Sequence, residues 1–182
     1  IVVTRQGNVH GQGAVSFAAA ASATSDILAT DASGVSEALN ILDQITLTMD
    51  VIRGELGAPA PSDLRLVWER GTGDETSYFD GSKIDVLGFD EDDDGYDDTV
   101  ILHESGHYLE YTIGHDDIPG GDHVGDPVDP NLAWSEGFST YLSLALRNDS
   151  MYFDTNVGGG WSWEYEETQV VTDPNDDMKQ PI

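Results

Sequence analysis

Two histidines four residues apart, with a glutamate directly after the first, constrain this chain more than any other feature: His103-Glu104-Ser105-Gly106-His107. On an α-helix, positions i and i+4 lie on one face about one turn apart. Two imidazoles at that spacing can chelate one zinc ion. Glu104 can then reach a zinc-bound water, take its proton and pass it to a leaving amine. The surroundings suit a helix. Val100-Ile101-Leu102 is an apolar lead-in, and Asp97, Asp98 and Thr99 suit a helix start. Gly106 costs a helix about 1 kcal/mol against alanine, which a plain structural helix has no reason to bear. A helix that must admit another backbone beside a metal does.

The rest of the chain reads as mixed α and β. Ile1 to Thr4 suggests a strand, and Ala14 to Ala21 is ambiguous. Ser36 reads as an N-cap for a helix of roughly 18 residues that ends at Gly54 or Gly57, before Pro59 and Pro61. Its apolar positions, among them Leu39, Leu42, Ile45, Leu47, Met49 and Ile52, recur near the helical period. Leu64 to Trp68 alternates like a strand, and Ser77–Phe79 with Ile84–Phe89 reads as a hairpin. The motif helix is expected over 99–113, a Gly/Asp/Pro loop over 114–131, and a further helix over 132–147. After it the chain reads as loop, with a break at Gly158-Gly159-Gly160 and an aromatic patch from Trp161 to Tyr165.

A third ligand must come from elsewhere. The metzincin pattern fails, because positions 110 and 113 hold Glu110 and Ile113, not Gly and His. Glu110 sits two turns from His103, too far to close a tetrahedron with both histidines, and is better suited to orienting His107 or to facing solvent. His115 and His123 lie in the long loop. Glu136 lies in Ala133-Trp134-Ser135-Glu136-Gly137-Phe138-Ser139-Thr140-Tyr141, on the second helix.

These two segments together resemble the gluzincin zinc peptidases, most clearly their aminopeptidase branch. There H-E-x-x-H is followed on the next helix by a ligand Glu in a Trp…Glu-Gly-aromatic setting. The resemblance covers His103–His107 and Trp134–Tyr141, and extends loosely to residues 77–89, where such enzymes keep a substrate-binding edge strand. It implies a zincin-like α+β fold: a small twisted sheet, an active-site helix and a glutamate-ligand helix. It further implies zinc held by His103, His107 and Glu136, with Glu104 as general base. Twenty-eight residues (108–135) separate His107 from Glu136, Trp134 stands two residues before the glutamate, and no G-x-M-E-N motif is present. These departures favour a secreted endopeptidase over an aminopeptidase. For the hydrogen bond to the transition-state oxyanion, His123, His115 and Tyr141 are the candidates, with His123 first; Tyr141 serves equally well as a packed aromatic.

Charge bounds the partners. Thirty-five acidic residues against seven basic give a net −28, a field that repels phosphate backbones and anionic membranes. No apolar run approaches the ~18 residues of a membrane span. A peptide or protein substrate is compatible, and an extracellular setting is expected. There is no cysteine, so disulfides and thiolate ligands are excluded. The start at Ile1 without Met suggests a mature or trimmed chain, read as one domain over 1–182 that can be a fragment of a longer one.

Much of the acid is ordinary solvated surface. One segment stands apart: Asp90-Glu-Asp-Asp-Asp-Gly95-Tyr-Asp-Asp98 fits D-x-D-x-D-G-x-x-D, which points to calcium held by Asp90, Asp92, Asp94, the Tyr96 carbonyl and Asp98. The twelfth position, where a calcium loop needs glutamate, is Ile101. A bound calcium would brace the entry to the motif helix. The rival readings of the whole are a catalytically inactive zincin-like domain and a calcium-stabilised surface, filament or adhesion domain.

Overall fold

In the computed structural model the described residues are 1–11, 28–55, 57, 64–114 and 128–165. They form an α+β structure. Strand β1 (Val2–Val3) is followed by helix α1 (Ser36–Gly54), β2 (Arg65–Val67), β3 (Tyr78–Phe79) and β4 (Lys83–Asp85). Then come β5 (Gly88–Phe89), β6 (Asp92–Asp93), α2 (Asp98–Ile113), α3 (Pro130–Arg147), β7 (Met151–Asp154) and β8 (Trp161–Glu164). The main sheet has the order β1-β2-β4-β3. Its first three strands are parallel, and β3 runs antiparallel at the edge, with Tyr78 opposite Asp85 and Phe79 opposite Ile84.

The sheet's apolar side chains meet those of α1 and α2 in one core. Leu66, Trp68, Ile84 and Val86 from the sheet region pack with Ile41, Ile45 and Ile52 of α1 and Ile101 and Leu109 of α2. The buried stripe of α1 is Ala38, Ile41, Ile45, Thr48, Met49 and Ile52, a clean 3.6-residue spacing. Leu39, Leu42 and Leu47, which the apolar pattern also includes, face solvent. Ser36 opens α1 but does not cap it. Val35 holds that position, and the Ser36 hydroxyl donates to Glu37 instead.

The expected hairpin over 77–89 is shorter than its apolar run. After Asp85 the chain leaves the main sheet, and Gly88–Phe89 pairs with Asp92–Asp93. Gly88 lies against the Glu69 carbonyl with no room for a Cβ, so the departure is tied to a close backbone approach. The segment after α3, expected as loop, is a β-hairpin in which Tyr152 faces Trp163. The glycine break is its turn. Gly159 and Gly160 have φ of 118° and 75°, a region closed to most side chains, and Asn156 Oδ1 accepts the N–H groups of Gly158 and Gly160.

Helix α3 starts two residues earlier than expected. Asp129 accepts from the Asn131 N–H at 2.9 Å, and Pro130 occupies the first turn, where its missing N–H costs nothing. Among the described residues no helix is long and apolar enough to cross a membrane.

Candidate metal centre

Helices α2 and α3 lie side by side, and a glycine allows it. A Cβ on Gly106 would stand 2.7 Å from Ser139 Cα and 2.8 Å from Ser139 Oγ. The close approach faces His103 and His107 of α2 toward Glu136 of α3. The Nε2 atoms of the two histidines are 3.1 Å apart. Glu136 offers one carboxylate oxygen to each, at 3.1 Å from His103 and 3.5 Å from His107. Donors about 2.0–2.1 Å from a tetrahedral zinc are spaced by about 3.3 Å, and one donor atom from each of the three residues lies within 4.8 Å of the others, a grouping compatible with one ion. The donor set, two imidazoles and a carboxylate, is also the one zinc takes where an open position is kept for water.

The far side of each imidazole is held by hydroxyls of α3. His103 Nδ1 lies 3.2 Å from Thr140 Oγ1, and His107 Nδ1 lies 3.0 Å from Ser135 Oγ and 3.1 Å from Ser139 Oγ. Opposite the metal face, the Ser105 and Thr48 hydroxyls meet at 2.9 Å and tie α2 to α1.

Glu104 is 8% exposed. Burial pushes its carboxyl above the usual range, against the opposing pull of the His103 and His107 charges and a backbone hydrogen bond from Phe79. That bond ties the candidate base to β3, the edge strand of the main sheet among the described residues. Burial by itself would raise Glu136 too, but hydrogen bonds from both histidines hold it far below the ordinary carboxylate range. For His107, burial favours the neutral ring, but the Glu136 hydrogen bond and the charges of Glu104, Glu136 and Glu110 outweigh it and move the imidazole up.

Tyr152 reaches the same site from β7. Its ring meets His103 edge-on at 6.2 Å and stacks on Trp161 at 5.4 Å. Burial, with the charge of Glu104 next in weight, pushes its hydroxyl well above the normal phenol value. Nothing in the sequence marks Tyr152 out. The hairpin that carries it lies in the stretch expected as loop. Tyr141 is 68% exposed and Trp134 69%, whereas Glu136 and Thr140 on the same helix are buried. His115 and His123 fall outside the described residues.

The acidic segment does not close as one calcium loop. Asp92 and Asp94 do come together, and their partner is Asp154 of β7. Asp90 is exposed on the β5–β6 hairpin. Asp98 accepts from Asn40 and Arg147, each at 2.9 Å, and Ile101 is in the core. The physical reason is the break in the segment: a two-stranded ribbon, a 3-10 turn over Asp94–Tyr96 and a helix start replace the continuous loop. Asp92 Oδ1 is buried with no hydrogen-bond partner among the described residues. Asp94 is buried, and burial followed by the charges of Asp154, Asp97 and Asp92 pushes its carboxyl up to about 8, although a hydrogen bond from Ser77 opposes this. Asp154 is likewise pushed up to about 6, by burial and then by Asp92 and Asp97.

Residues 56–178 match the family described as the mycolysin C-terminal domain. This chain belongs to that family. The matched span runs past both ends of the metal set and holds both clusters. The mycolysin family is linked to secreted zinc metalloproteases, and a clustered pair of imidazoles with a carboxylate agrees with a metal-dependent relative. A search of curated proteins found no match.

Proposed function

We propose that this mycolysin-family domain is the catalytic unit of a secreted, gluzincin-type zinc endopeptidase with a zincin-like fold. The observation that carries the reading is the convergence of His103, His107 and Glu136 at zinc spacing, with Glu104 buried beside them. A purely structural metal site has no need of that glutamate. The residues of the metal set all lie inside the span matched to the mycolysin family.

A zinc ion bound by His103, His107 and Glu136 would supply Lewis acidity and a water acidified toward neutral pH. The residues of the chain do the rest. Glu104 takes the proton of the attacking water and delivers it to the departing amine. A peptide laid along the edge strand β3 would be held by backbone hydrogen bonds, on the same strand whose Phe79 N–H already orients Glu104. Tyr152 walls the His103 side. His123 and Tyr141 remain as proposed donors to the oxyanion.

Zinc content and quenched-peptide hydrolysis, measured together on the wild type and Glu104→Ala, test this. Stoichiometric zinc in both with hydrolysis in the wild type only is the expected result. Zinc in both and hydrolysis in neither would replace it with the inactive, zinc-bearing domain. Absence of zinc from both would overturn it.

A second, structural cation is favoured by the orphaned Oδ1 of Asp92. Calcium prefers several carboxylate oxygens, and Asp92, Asp94 and Asp154 offer them. Bound there, it would join the segment before α2 to the hairpin after α3.

A further inference from the structure

Ser135 is fully buried on α3 and has one proton to give. It donates to the Glu110 carboxylate at 2.5 Å, and its oxygen lies 3.0 Å from His107 Nδ1. An ionised carboxylate only accepts hydrogen bonds, so Glu110 commits the direction of the Ser135 hydroxyl. With that proton spent, the Ser135 oxygen can meet His107 only as an acceptor. His107 must then carry its hydrogen on Nδ1. Nε2, which faces His103 and Glu136, is then the nitrogen left to take a metal in exchange for its own proton. Ser139, 3.1 Å from the same Nδ1, shares the N–H.

From this chain the geometry points to a relay: Glu110, acting through Ser135, is a positioning residue that holds His107 in its metal-binding tautomer. Glu110 is not a ligand and touches neither substrate nor reacting atoms. Without it, the Ser135 hydroxyl is free to turn and donate to Nδ1, which places the imidazole hydrogen on Nε2, where zinc should be. This inference rests on the zinc reading given above, and it assigns Glu110 a role that does not follow from that reading alone.

The test is zinc affinity, measured on the full chain by competition with a chromophoric chelator, for the wild type, Glu110→Ala, Ser135→Ala and the double variant. Melting temperatures and the spectrum of the cobalt-loaded protein are recorded beside it. Loss of an outer partner of a metal-binding histidine typically weakens binding by 10–100-fold. Glu110→Ala and Ser135→Ala are each expected to weaken zinc about 10-fold and to shift the cobalt bands. Glu110→Gln, which keeps an acceptor oxygen, should recover most of the loss. In the Ser135→Ala background, Glu110→Ala should have no further effect.

If Glu110→Ala weakens zinc equally with and without Ser135, its charge acts through space and the relay is overturned. If it leaves zinc affinity within twofold of wild type, the positioning role is overturned while the zinc reading stands. If the wild type binds no zinc, both fall together. A folding defect alone would lower the melting temperature without moving the cobalt bands, and would also overturn the relay.

Discussion

Gly106→Ala sets two effects of opposite sign on a single atom. Helix propensity favours alanine by about 1 kcal/mol. Against this, the new Cβ would lie 2.7 Å from Ser139 Cα, 2.8 Å from its Oγ and 2.9 Å from its Cβ. Carbon pairs settle at about 3.5–4.0 Å, so α2 and α3 must part by roughly 0.8–1.3 Å. Two of the three obstacles sit on the Ser139 backbone and Cβ, so no rotamer change relieves them. Overpacking of this kind costs about 1–3 kcal/mol, and a backbone obstacle belongs at the upper end. The net is a loss of about 1–2 kcal/mol, which for a domain of this size is a fall of roughly 2–8 °C in melting temperature. The same separation opens the His107–Glu136 edge, now 3.5 Å, beyond what a metal site tolerates, about 0.5 Å. Zinc binding should therefore weaken at least about 10-fold. Calorimetry of the metal-free protein and a zinc competition titration check the two halves. A variant as stable as wild type, with unchanged zinc affinity, would mean that the α2–α3 approach does not govern the site.

Three further outcomes follow from single observations. Asp94 and Asp154 have folded-state values raised to about 8 and about 6, above their unfolded values near 4. Such groups stabilise the fold most when protonated, so in chelator the melting temperature should fall as pH rises from about 4 to about 8; added calcium at pH 8 should reverse the fall, and a flat profile would refute both statements. Tyr152→Phe keeps the ring that meets His103 edge-on and should leave zinc affinity and melting temperature near wild type, whereas Tyr152→Ala should cost about 3–5 kcal/mol in denaturant titration. Asp129→Ala removes the side-chain acceptor for the Asn131 N–H and should cost about 1 kcal/mol, read as a fall of about 2–4 °C with no change in zinc stoichiometry.

What was legible in the sequence is what local periodicity encodes. The i, i+4 histidines declare a helix whether or not a fold surrounds them, and α2 follows that pattern. Gly106 reads as an unwelcome residue in a helix, and the structure supplies its partner, the Ser139 backbone. Less legible was anything that depends on distant pairing. The β7–β8 hairpin joins Met151–Asp154 to Trp161–Glu164, two four-residue segments too short for alternation to stand out, and Asp154 reaches Asp92 and Asp94 only because that hairpin forms. A run of aspartates in sequence suggests a contiguous calcium loop. The fold instead draws its carboxylates from segments about 60 residues apart.

The buried serines of α2 and α3 carry this point furthest. Ser105, Ser135, Ser139 and Ser143 are all fully buried, and each reads in sequence as a small residue that lets helices approach. Their hydroxyls divide them. Ser143 donates to the Thr140 carbonyl three residues back in its own helix, at 2.8 Å, a local bond that alanine would lose with little consequence for packing, and Ser105 pairs the same kind of bond, to Leu102 at 2.7 Å, with its contact to Thr48 of α1 at 2.9 Å. Ser135 and Ser139 instead face His107 Nδ1. An alanine in their place would fill the same space and leave a buried imidazole nitrogen without its partner, which is the costlier defect. Size explains why all four positions are small. Only the demand of the imidazole explains why those two carry oxygen, and that demand exists because α3 also supplies Glu136 across the same face.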